Sequence, residues 1–118
     1  MQQEQLYPIT EDRYAGVRAL WLKVIIRAIF DWVTYRDSPK IRERKLAEQA
    51  QLWLFKSANI FNSFEGICEF LDVPVEKVRA VASSMTREQV AKIEHLERES
   101  GAIFRSKLLG LLRGNEEI

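Results

Sequence analysis

The chain has 118 residues, with 18 Lys+Arg against 17 Asp+Glu and 47 % apolar residues. That length and balance fit one ordinary globular domain and exclude the disordered, collagen-like and disulfide-scaffold classes. A formal net charge of +1 removes the simplest nucleic-acid signature, a uniformly basic chain, so a nucleic-acid reading has to rest on local charge and a motif.

The start, residues 1–5, is polar and lacks the basic and apolar regions of a signal peptide, and residues 1–9, closed by Pro8, are expected to be a flexible tail. Thr10 is the expected N-cap of a long helix reaching about Tyr35, with Glu11 and Asp12 in its first turn, where negative charge suits the helix dipole. Lys23, Arg27 and Asp31 recur every fourth residue and define a narrow solvent stripe. Leu20, Trp21, Val24, Ile25, Ala28, Ile29, Trp32 and Val33 cover the rest. A helix apolar over most of its girth is either a central core helix or a partner-binding surface. The apolar-rich run Ala19 to Val33 is interrupted by three charges, too short and too charged to span a bilayer.

Ser38 as cap and Pro39 as first helical residue start a second helix at about 39–57. Its first half is basic and its second half, Leu52 to Phe55, is apolar. From Arg36 to Leu46 there are five positive and two negative residues, a local +3. The cluster is either a solvated helix face or a phosphate-facing patch, with Lys40, Arg42, Arg44 and Lys45 as candidate DNA contacts.

After a short link at 58–62, Ser63 caps a helix over 64–71. Asp72-Val73 forms a turn, and Pro74 opens a helix to about Ser84. Thr86 with Gln89 predicts a capping box for a charged helix, Arg87 to Ser100, whose inward residues are Val90, Ile93 and Leu96. Gly101 is a stop or weak point, and a last helix, Ala102 to Arg113, ends at Gly114-Asn115 before an acidic tail, with 114–118 expected to be flexible. Nothing alternates as a strand does. The fold class is therefore all-α, a single domain over 1–118 forming a compact bundle of about five or six helices.

The segment 64–84 fits a helix-turn-helix template. Ile67 and Leu71 supply the inward face of its first helix, and Cys68 is the small residue at the approach. Asp72 stands at the left-handed turn position, Val73 plugs the turn, and Val78 and Val81 face inward from the second helix. In a DNA-reading unit the second helix enters the major groove. Its outward residues are Val75, Glu76, Lys77, Arg79, Ala80 and Ser83, with Arg79 suited to guanine and Lys77 to phosphate. Against this, residues 64–83 carry four acidic side chains and two basic ones, a net of −2. A structural corner or a protein-binding unit is the alternative reading.

One cysteine, Cys68, permits no internal disulfide and points to a reducing, cytoplasmic setting. It reads as a small core residue, and the single histidine, His95, as solvent-exposed. One Cys and one His build no closed zinc site, no Gly-rich phosphate loop is present, and no catalytic residues, metal ligands or cofactor are expected. Leu108-Leu109 and Leu111-Leu112 either complete the core or dock on a second copy, which makes a homodimer through the C-terminal helix.

Trp53 to Ser57, followed by Ser63-Phe64, Ile67-Cys68, Leu71 and Val78-Arg79, resembles small phage and prophage proteins with a helix-turn-helix-like core. The likeness covers about 30 residues and the tryptophan-containing helix upstream. It implies a phage or mobile-element origin and carries over no functional residue. The resulting expectation is a non-enzymatic regulator binding double-stranded DNA through 64–83; the alternative is a protein-interaction or assembly module.

Overall fold

In the computed structural model, α1 (Ala15–Tyr35) is the axis against which most of the chain is laid; the structure describes residues 14–56 and 63–114. α2 (Ile41–Phe55) folds back along α1 after a short turn, and α3 (Phe64–Leu71), α4 (Val75–Ser84) and α5 (Arg87–Glu99) also pack on it. α6 (Gly101–Arg113) closes the bundle against α5 and α4. The all-α class holds, with six helices among the described residues. The expected tail at 1–9, the Thr10 cap with Glu11 and Asp12, the link at 58–62 and the tail at 115–118 lie outside those residues.

α1 is central because its apolar surface is nearly continuous. Leu22, Ile25, Ile26, Ile29, Phe30 and Val33 are buried, while Lys23 and Arg27 remain exposed. Asp31, on the same stripe, is half-buried; burial pushes its carboxyl pKa up, and the nearby Arg27 opposes that shift. Leu20, expected as part of the apolar girth, is 58 % exposed.

The start of α2 departs from expectation by two residues. Ser38 Oγ accepts from the Lys40 backbone N–H at 3.1 Å and donates to Glu43 Oε1 at 2.6 Å, so it organises the turn instead of capping a helix begun at Pro39. Lys40 is the extended N-cap, and the helix begins at Ile41 and ends at Phe55. A similar shift occurs at the α5–α6 junction. Ser100 leaves the helix and its Oγ accepts from the Ile103 N–H at 3.3 Å, so Gly101 opens α6 instead of ending α5.

Elsewhere the local signals match the structure. Ser63 Oγ accepts from the Gly66 N–H at 3.1 Å. Thr86 and Gln89 form the reciprocal capping box at 2.9 and 3.2 Å. The six residues assigned inward between Ile67 and Val81 are all buried. Asp72 is the one non-glycine residue with positive φ among those described, at φ 59° and ψ 47°. Its N–H bonds to Glu69 O and the Val73 N–H bonds to Cys68 O, which ends α3 in a Schellman motif.

In α6, Phe104, Leu108 and Leu112 are buried in this chain's own core, and Leu109 and Leu111 are half-buried. Most of the leucine stripe thus completes the bundle.

Asp72 tests the turn. Asp72→Ala is expected to lower stability by about 1–2 kcal/mol, the cost of a left-handed residue with a Cβ and no local side-chain hydrogen bonding. Asp72→Gly is expected to retain wild-type stability within about 0.5 kcal/mol, since glycine adopts this conformation freely. Urea denaturation of the three proteins measures the difference.

Candidate functional site

The positions singled out for DNA contact fall into two groups. Lys40, Arg42, Arg44 and Lys45 are all exposed at the start of α2. Arg44 NH1 also donates to Ser38 O at 2.8 Å, which braces the turn. Lys77, Arg79 and Ser83 are on α4. The groups are linked only through the far end of α2, where Arg79 Nε donates to Leu54 O at 2.7 Å. Leu54 is nine to fourteen residues from the basic cluster, about 14–21 Å along the helix at 1.5 Å per residue.

Arg79 faces into the protein. Its side chain is 17 % exposed, and its guanidinium lies 5.3 Å over the Phe64 ring. Glu65 and Glu76 approach it at 3.7 and 3.9 Å. Phe64 in turn packs edge-on against Trp53 at 5.2 Å. The charge expected to read guanine thus closes the C-terminus of α2, where helix carbonyls lack intrahelical donors and cations are favoured. Lys77 is half-buried, and its methylenes pack beside Gly114, whose left-handed φ of 88° ends α6. The exposed face of α4 therefore consists of Glu76, Ala80, Ser83 and Ser84.

Two other arginines do for α3 what Arg79 does for α2. Arg18 NH1 donates to Phe70 O at 3.1 Å. Arg113 NH2 donates to Leu71 O at 3.0 Å, and its Nε to Asp72 O at 3.1 Å. With the Schellman bonds to Cys68 and Glu69, every carbonyl from residue 68 to residue 72 has a donor.

These arginines border a cleft of about 380 Å³ between α1 and α6. Arg105 and Ser106 stand on its rim with Arg18 and Arg113, while Leu22, Leu71 and Leu109 form an aliphatic floor. Sequence reasoning missed this place. A partial signal exists: Arg105, Leu109 and Arg113 recur every fourth residue, an arginine–leucine–arginine stripe on one helix face. Arg18 joins them only through the fold.

Cys68 is fully buried, and that burial pushes its thiol pKa up from 9.0 to about 12, outweighing the lowering effect of Arg79; Glu65 adds a smaller upward push. His95 is exposed. Among the described residues no group of three or more His, Cys, Asp or Glu is placed to hold a metal ion, and no helix is long and apolar enough to cross a membrane. No protein-family model, curated protein or solved structure matches the chain.

Three outcomes follow. Arg79→Ala is expected to cost about 2 kcal/mol in denaturant unfolding, since it removes a charged hydrogen bond to Leu54 O and a cation–π contact. Iodoacetamide at pH 8 is expected to modify Cys68 about 100-fold or more slowly in the folded protein than in urea, because only the thiolate reacts. The raised pKa also sets a pH trend. The unfolded thiol loses its proton near 9.0 and the folded one near 12, so between those values the folded state holds more protons and Cys68 makes stability fall as pH rises.

Proposed function

We propose that the chain is a non-enzymatic protein-interaction module. The observation that carries this reading is the direction of the α4 cations. Arg79 is turned onto the end of α2 and Lys77 lies along the end of α6, leaving Glu76, Ala80 and Ser83 outward. Cations at those outward positions would pair with guanine and phosphate, whereas a carboxylate there repels the phosphate backbone. Large aliphatic side chains, by contrast, remain outside the bundle: Leu20 at 58 %, Ile41 at 62 % and Leu52 at 55 % exposure. Apolar residues of that size are available for contact with another polypeptide.

DNA binding is the second reading, and its support is the exposed group Lys40, Arg42 and Lys45. It is a phosphate-contact reading and not a base-reading one. In it the helix-turn-helix segment is a structural corner. Self-association through α6 has less support, because Leu108 and Leu112 are already buried in the chain's own core.

Fluorescence anisotropy with a labelled 20-base-pair duplex at low and physiological salt separates the two. The interaction reading expects only weak, salt-sensitive binding, no tighter than the ~1–100 µM range of non-specific contacts at physiological salt. Tighter binding that disappears when Lys40, Arg42 and Lys45 are all changed to Gln overturns it in favour of DNA.

A further inference from the structure

The arginine-rimmed cleft between α1 and α6 has a chemistry that the exposed aliphatic residues lack. Among the described residues that line it, three guanidinium groups, Arg18, Arg105 and Arg113, stand against one carboxylate, Asp72. The rim is therefore strongly cationic, whereas the floor is aliphatic. Arg18 and Arg113 are held in place by their bonds to the α3 carbonyls, so their side-chain entropy is already lost before any ligand arrives. Arg105 is exposed, with its guanidinium beside Gly101. Guanidinium groups pair planar carboxylates through two parallel N–H bonds.

We propose that this cleft receives a short acidic segment of a partner protein, one in which Glu or Asp stands beside a large aliphatic residue. The proposal rests on the interaction reading above and names the partner's chemistry. The aliphatic side chain packs on Leu22 and Leu109, and the carboxylate pairs with Arg105 at the rim. The volume of about 380 Å³ is at the small end of ligand pockets, which run from about 300 to 1,000 Å³, so the cleft takes one or two side chains of the segment. A nucleic-acid backbone fits it poorly. Phosphates gain nothing from a leucine floor.

The test is a titration of the ¹⁵N-labelled full chain with an end-capped Glu-Leu-Glu-Leu peptide, followed by amide shifts, with Lys-Leu-Lys-Leu as the charge control. Two variants accompany it. Arg105→Glu reverses one rim charge, and Ser106→Trp fills the mouth; both positions are exposed, and the amide spectrum reports directly that each variant is folded. The expected result is saturable binding of the acidic peptide with shifts around Ala19, Ser106 and Leu109, no response to the basic peptide, and a weakening of about tenfold or more in each variant. Absence of binding by the acidic peptide overturns the cleft assignment. Binding that moves amides near Leu20 or Ile41 and is unchanged in both variants also overturns it, while leaving the interaction reading in place. No peptide binding together with duplex-induced shifts over residues 40–45 overturns both.

Discussion

The end of a helix inside a bundle presents carbonyl oxygens that have no partner in their own helix, and this fold depends on supplying them from elsewhere. Each buried carbonyl left without a donor costs about 1–3 kcal/mol. Here arginines meet that demand. Arg79 reaches the end of α2 across 25 residues of sequence, Arg113 reaches Leu71 across 42, and Arg18 reaches Phe70 across 52. These bonds join α1, α4 and α6 to the closing turns of α2 and α3.

The legible features of the sequence were those whose physics acts within one turn. Ser63 with Gly66 and Thr86 with Gln89 are contacts three residues apart, so residue type and spacing suffice to place them. Asp72 is legible from its place at the turn after α3, where Asp tolerates the left-handed conformation. Core membership followed from helical spacing for Ile67, Cys68, Val78, Val90 and Ile93. The two boundary differences arose where a serine had more than one available partner. Ser38 serves Lys40 and Glu43 ahead of the helix, and Ser100 caps the helix that follows it.

The directions of the long cationic side chains were not legible. Arg79 looks outward by position on α4, yet a guanidinium on a three-carbon stem can turn toward an unsatisfied carbonyl that only the tertiary fold brings near. The cleft has the same origin. Arg105 and Arg113 share a stripe that periodicity can find, but Arg18 and the floor residue Leu71 come from other helices. The near-neutral net charge conceals this distribution. The basic start of α2 faces solvent, Arg79 of α4 serves the end of α2, and the cationic rim lies between α1 and α6.

The closure of α3 ties this short helix to distant parts of the chain. At eight residues, α3 is well below the length of about 12–15 at which isolated helices persist in water. Phe70 O, Leu71 O and Asp72 O take side-chain donors from α1 and α6, so the native end of α3 is tied to both flanking parts of the chain. That non-local dependence raises the entropy to be overcome before the bundle closes, and it makes the six helices a single cooperative unit instead of a stack of independent hairpins.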